Sequence, residues 1–242
     1  MNIEIWSDVV CPWCYIGKRR LEQALEQFPH RDAVNIVWRS FELDPHAQEQ
    51  VTESLDEMLA RKYHTTRQNA AQMNARVSRI AGEVGLDYHL DRAKPSNTFD
   101  AHRLLHLAKA KGIQPQVEER LMQAYFTEGE PIGDHEALAR VAAEAGLDAE
   151  EARGTLASDA YADDVRADEA RATEFGITGV PFVAIDERYG VSGAQPTEVF
   201  LTALQTAWTA AHPLTMVSET PADASEGDAD SSNSCEGDTC AI

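Results

Sequence analysis

Positive charge is scarce in this chain. Lys and Arg number 21 against 41 Asp and Glu, a formal net charge of −20 over 242 residues. A surface that negative repels phosphate backbones and anionic lipid headgroups, so no nucleic acid and no membrane surface is expected as a partner. Long apolar runs are missing as well. The longest clear one, Val180 to Ile185, spans six residues and contains Pro181. A bilayer-spanning helix needs about 20. The opening residues Met1 to Asp8 carry neither a basic stretch nor an apolar one. They do not read as a secretory signal, and the expected location is the cytoplasm.

Cysteine is sparse too, with four in all. Their placement is informative: Cys11 and Cys14 form a C-x-x-C, and Cys235 and Cys240 form a C-x-x-x-x-C. In a reducing compartment, two close-spaced pairs point to redox chemistry or metal binding before structural staples. Residues 217–242 hold seven acids, no Lys or Arg and no aromatic ring. Such a segment cannot bury enough apolar surface to offset its ordering entropy. A disordered, cysteine-containing acidic tail is therefore expected over residues 215–242.

The remaining body is ordinary in composition and long enough for a sizeable core. Ile3-Glu4-Ile5-Trp6-Ser7 alternates apolar and polar residues and predicts a strand. Pro12 suits the first turn of a helix running to about Gln27. Leu21, Leu25 and Phe28 mark its buried face, and Cys14, seven residues before Leu21, falls on that face. Cys11 sits at the helix mouth. Val34 to Trp38 predicts a second strand. A helical pattern fills about 51–172, punctuated by Gly85-Leu86, Gly112-Ile113, Gly146-Leu147 and Gly176-Ile177. These pairs have the form of left-handed C-caps with their following apolar contact. Ser96/Asn97 with Asp100, and Asp134 with Glu136, predict helix starts. Strand signals return at Pro181 to Ile185 and near Val191, around a turn at Asp186 to Gly190, and a last helix covers Thr197 to Ala211. The order is that of an α/β sheet interrupted by helices. The predicted organisation is residues 1–48 with 173–214 as the sheet domain and 49–172 as an all-helical insertion.

The strand–Cys-Pro-Trp-Cys–helix arrangement carries the chemistry. A thiolate is the nucleophile of disulfide exchange, and a helix N-terminus offers it unpaired N–H donors and partial positive charge. Cys11 is thus the expected attacking residue, and Cys14, one turn on and turned inward, the resolving one. Pro181 ahead of a strand fits either an ordinary edge start or a cis bond. His102 and His106, one helical turn apart, have zinc-ligand spacing, but Phe99, Leu104, Leu105 and Leu107 around them fit a helix with partly buried histidines. Glu128, Glu130, Asp134 and His135 show no metal spacing, and Asp163, Asp164, Asp168 and Glu169 read as a solvated helix face. No cofactor and no metal is expected. Cys235 and Cys240 leave three readings open: a second redox pair, a soft-metal site with Glu236 and Asp238, or an inert small-loop disulfide. A flexible chain from Ala211 to Cys235 spans roughly 25–30 Å, enough to bring the second pair back to Cys11.

Cys11-Pro12-Trp13-Cys14 after the first strand, a helical insertion, then Gly179-Val180-Pro181 before a late strand resembles the DsbA-type thioredoxin fold. The stretches Trp6 to Gly17, Ser96 to Arg103, Tyr125 to Gly129 and Val191 to Gln195 are similar to the FrnE-like dithiol–disulfide isomerases. The resemblance runs from Met1 to about Ala211. It implies a cis Val180–Pro181 bond beside the cysteines and a Val180 backbone that pairs with an extended substrate. Trp13 stands where DsbA has histidine. Trp has no charge with which to hold a thiolate, so a weaker oxidant is expected, closer to thioredoxin's potential of about −270 mV than to DsbA's of about −120 mV. Trp13 also offers either an apolar face to unfolded substrates or simple packing.

The expected function is thiol–disulfide oxidoreductase or isomerase, acting on disulfide-containing proteins or small thiols, with glutathione or thioredoxin as reductant. The alternative is a glutathione-dependent transferase or isomerase resembling the kappa-class and 2-hydroxychromene-2-carboxylate isomerase enzymes. Those place serine where Cys11 stands.

Overall fold

The computed structural model describes residues 1–48 and 53–213. The sheet has four strands: β1 (Asn2–Ser7), β2 (Asn35–Ser40), β3 (Phe182–Ile185) and β4 (Tyr189–Ser192). Their order is β2-β1-β3-β4, with β1 parallel to β2 and antiparallel to β3. The central strand is therefore the first in the chain, and Ile3 pairs with Ile36 on one side and Ile185 on the other. β2 starts and ends later than the apolar run Val34–Trp38 implies, because pairing with β1 carries it to Ser40. β3 and β4 join through Asp186 and Glu187, both left-handed at φ 48° and 57°. That is the backbone of a tight hairpin turn matched to strand twist. Asn2 N–H donates to Asp186 Oδ1 at 2.6 Å and fixes the turn against β1.

Helix α1 (Pro12–Gln27) follows β1. Its two halves lie in different cores. Leu21, Ala24 and Phe28 pack with Ile3, Ile5, Val183 and Phe200 of the sheet and α9 (Thr197–Ala211). Cys14, Tyr15 and Ile16 pack instead with Leu104, Leu121, Phe126 and Leu138 of the helical block. The single buried stripe that the spacing predicts is thus shared between two neighbours.

Among the described residues, seven helices lie between β2 and β3: α2 (Leu55–Lys62), α3 (Arg67–Glu83), α4 (Phe99–Ala110), α5 (Gln114–Gln123), α6 (His135–Glu144), α7 (Ala149–Leu156) and α8 (Ala162–Glu174). A π-helical turn, Ala124–Glu128, extends α5. All four Gly-apolar pairs end helices as expected. Leu86, Ile113, Leu147 and Ile177 N–H groups donate to the carbonyls of Ala81, Ala108, Ala142 and Ala172, closing Schellman motifs. Asp134 caps α6 through Ala137 N–H at 2.9 Å. α4 begins at Phe99 rather than at Ser96/Asn97; Asn97 Oδ1 accepts from Phe99 N–H at 2.8 Å and turns the chain into the helix.

α8 packs against β2, and Asp168 is the reason. Its carboxylate accepts from Ser40 N–H at 3.0 Å and pairs with Arg39 at 2.8 Å and His106 at 3.2 Å. The expectation of a solvated face fails here: Asp168 is 2% exposed, because cationic and N–H partners converge on it. Glu4, the polar member of the β1 alternation, is likewise buried, between Arg39 and Arg171. Residues Met1–Ala211 form one compact unit, and among the described residues no helix is long and apolar enough to cross a membrane.

Candidate active site

β1 ends at Ser7, and the loop Asp8–Val10 turns the chain into α1. The Asp8 carbonyl accepts from Cys11 N–H at 3.0 Å, and its carboxylate accepts from Leu43 N–H at 2.8 Å and Val10 N–H at 3.4 Å. Cys11 is the N-cap residue of α1, and Pro12 occupies the first turn, where a missing N–H costs nothing. Cys14 N–H donates to the Cys11 carbonyl at 3.0 Å. Both residues are free cysteines.

The chain that meets Cys11 comes from the far end of the fold. The Val180–Pro181 bond is cis. Cys11 Sγ donates to the Val180 carbonyl at 3.7 Å. Gly17, one turn beyond Cys14, lets α1 approach this loop: a Cβ there would lie 3.1 Å from Pro181 Cγ. Pro181 O accepts from Gly193 N–H at 2.8 Å, and Arg20 reaches the Ala194 carbonyl at 2.6 Å. On the opposite side, Tyr88 donates to the Pro12 carbonyl at 2.8 Å and stacks on Phe126.

Cys11 does not project at an open mouth. It is 3% exposed, and it lies at the wall of a cleft of about 680 Å³ lined by Trp13, Val180 and residues of α2 and α3. The helical block roofs what would otherwise be a bare helix end. Four of the six exposed large apolar side chains among the described residues (Trp13, Leu43, Tyr63 and Met73) line this cleft. Its volume falls within the range of small-ligand sites, and its walls mix these apolar side chains with charged ones such as Glu53, Arg61 and Lys62.

Cys14 is 1% exposed. Burial pushes its thiol far above the ordinary value, and its hydrogen bond to Cys11 adds to this; the Asp8 backbone and the Ser7 hydroxyl pull the other way. Behind it, Glu118 is pushed up to about 7 by burial, against the pull of His102, Ser7 and Lys18. Burial draws His102 down, but Asp8 beside it, with Glu118 and Glu42, raises it on balance.

The DSBA-like thioredoxin domain pattern matches residues 2–205. The chain belongs to that family. In this DSBA-like domain, a probable DsbA oxidoreductase of Streptomyces coelicolor is similar throughout: 45% identical, covering 92% of this chain and 97% of the other, with a TM-score of 0.85. The cytosolic disulfide reductase DsbM of Pseudomonas aeruginosa, solved with glutathione, shares the fold at 17% identity, covering 86% and 99% of the two chains, with a TM-score of 0.60. A 2-hydroxychromene-2-carboxylate isomerase shares it at 15% identity, covering 87% and 98%, with a TM-score of 0.62.

Of the residues singled out in the sequence of this DSBA-like domain, Cys11, Cys14, Val180 and Pro181 come together, and Trp13 lies on the adjoining cleft wall. Cys235 and Cys240 lie outside the described residues. His102 and His106 do not converge: one faces Asp8 and the other Asp168. Asp8, Gly17, Tyr88 and Glu118 were not assigned roles from the sequence. Glu118 did leave a signal there, since a carboxylate at this position falls on the apolar stripe that Val117, Leu121 and Met122 define on α5.

Proposed function

We propose that this protein is a thiol–disulfide oxidoreductase in which Cys11 forms a mixed disulfide with substrate and Cys14 resolves it. The observation that carries the reading is the placement of the two sulfurs. Cys11 occupies the N-cap position of α1 at the wall of a cleft, with Val180 O on its sulfur, and Cys14 lies buried one turn behind. The substrates are disulfide-containing proteins or small thiols. An extended segment of substrate would pair with the Val180 backbone, and Trp13 would pack on its apolar side. Glutathione or thioredoxin in the cytoplasm is the reductant in this reading, and isomerisation of the FrnE-like kind is its extension. Residues 49–172 act as the insertion that walls the cleft of a thioredoxin domain formed by 1–48 and 173–214. Both cysteines are present, which favours disulfide exchange over the glutathione-transferase type of chemistry on the same fold.

Cys11→Ser should abolish turnover of a disulfide substrate, whereas a transferase would survive it. Cys14→Ser should accumulate a covalent substrate adduct on Cys11, visible by intact mass. The potential of the pair in a glutathione buffer should lie nearer about −270 mV than about −120 mV. The tail pair is a second redox relay in this reading. Replacing Cys235 and Cys240 by Ser should slow turnover with a protein reductant, and an unchanged rate would remove the relay.

A further inference from the structure

The Pro12 carbonyl accepts two hydrogen bonds. Within α1 it takes the Ile16 N–H, as a helix carbonyl does. Its other lone pair takes the Tyr88 hydroxyl at 2.8 Å. Tyr88 belongs to the segment between α3 and α4 and is 7% exposed. Phe126 stacks on its ring with centroids 4.6 Å apart, and Tyr15 of α1 stacks at 6.1 Å. These rings share one core with Cys11 and Cys14. Burial holds the Tyr88 proton far above the ordinary phenol range. Cys11, Tyr15 and Cys14 of α1 add to this and Arg19 opposes it, so the hydroxyl stays a donor at every pH where thiols titrate. Packing needs only the ring. The hydroxyl is spent on a carbonyl that the helix has already satisfied.

The other end of that peptide group faces the chemistry. The Pro12 carbonyl and the Trp13 N–H belong to one planar unit. Cys11 is the N-cap residue, Pro12 has no N–H, and the Cys14 N–H donates to the Cys11 carbonyl at 3.0 Å. Trp13 N–H is the first-turn donor that remains, at a position from which an N-cap side chain takes its bond. In the dithiol the Cys11 sulfur makes no such bond, and its proton points to Val180 O at 3.7 Å instead. A thiolate has no proton to offer Val180 and can only accept.

Resting on the disulfide-exchange reading above, we propose that Tyr88 is a positioning residue for the Cys11 thiolate: its hydroxyl fixes and polarises the Pro12–Trp13 peptide, so that Trp13 N–H holds the charge on Cys11 once the thiol proton has left Val180 O. Tyr88 is not among the residues that line the cleft, and it acts only through Pro12. Hydrogen bonds in series strengthen one another by about 10–30% each. Applied to a charge-assisted bond, that changes the thiolate population about threefold. Trp13 thereby supplies through its backbone what its uncharged side chain cannot.

The full-length chain carrying Cys14→Ser, Cys235→Ser and Cys240→Ser keeps Cys11 as its sole thiol. Its thiolate attacks dithiobis(nitrobenzoate). A bond from Cys11 to one reagent sulfur forms, the reagent's own sulfur–sulfur bond breaks, and one thionitrobenzoate anion leaves with the electron pair. The release rate rises with pH and levels off as Cys11 ionises. Tyr88→Phe keeps the ring and its stack. In this variant the pH of half-maximal rate should rise by about half a unit, the threefold change above. A less stabilised thiolate is also the better nucleophile, with a Brønsted slope of about 0.4–0.5. The plateau should therefore rise about 1.5-fold while the rate well below the midpoint falls about twofold, and the two profiles cross. With Cys14 restored and at a pH on the plateau, Tyr88→Phe should shift the equilibrium with glutathione about threefold toward the disulfide, about 14 mV. An unmoved midpoint or an unmoved glutathione equilibrium would overturn the proposal. So would a change by one factor at every pH, the mark of a side chain that merely packs. Failure of the chain with native Tyr88 to release any thionitrobenzoate would overturn the disulfide-exchange reading itself, and this proposal with it.

Discussion

Gly17 decides how closely α1 meets the loop at Pro181. A methyl group there would sit 3.1 Å from Pro181 Cγ and 3.5 Å from Ala194, so one side must move. Gly17→Ala should cost about 1–3 kcal/mol by overpacking and lower turnover by shifting Val180 away from Cys11. Denaturant midpoints and turnover rates check the two effects. Glu118 makes a different prediction. Its folded value of about 7 lies above the unfolded 4.5, so the folded state holds the proton more tightly. That contribution is complete below the unfolded value and is lost as pH rises through about 7; for a fully buried carboxyl it is worth about 3 kcal/mol. Glu118→Gln should flatten the stability curve between about pH 5 and pH 8, as urea midpoints would report. Glu119, its neighbour, runs the opposite way. Burial alone would raise it, but Arg19, Lys18 and Tyr15 hold it at about 2, so its contribution is present above 4.5 and is lost as the medium is acidified toward about 2. Cys11 and Cys14 were legible in the sequence because their motif is local. Tyr88 was not, because its partner Pro12 lies 76 positions away. Ser7 and Glu118 lie 111 positions apart.

At the scale of elements, the sequence speaks most clearly where a device is short. The Gly-apolar pairs closed four helices as read, since a Schellman motif needs only six consecutive residues. The Asp134 cap is equally local, and Asp134→Ala should cost about 1 kcal/mol, read as a lowered melting temperature. The start of α4 was displaced from Ser96/Asn97 because Asn97 caps from outside the helix, through Phe99 N–H. The π-helical turn at Ala124–Glu128 carries no spacing signal of its own. The shared burial of α1 was hidden for another reason. Periodicity reports which side is covered, and it does not report by what.

For the whole molecule, the order of elements was legible and the charge network was not. Asp168 ties α8, β2 and α4 together through Arg39, Ser40 and His106. Along the chain it looks like one more acid on an acidic helix. Asp168→Ala should leave the Ser40 N–H without its acceptor and Arg39 with Glu4 alone, and cost about 1–3 kcal/mol, a loss that calorimetric unfolding would show. The sheet order has one more consequence, concerning time rather than space. β1 and Cys11 are made first, but β3 and Val180, which complete the site, follow 169 positions later. At ribosomal speeds of 5–20 residues per second, that interval lasts roughly 10–30 s. Throughout it the newborn chain carries both thiols with no late strand to shelter them, so the first oxidant or disulfide they meet is chosen by the surroundings of the ribosome and not by the finished protein.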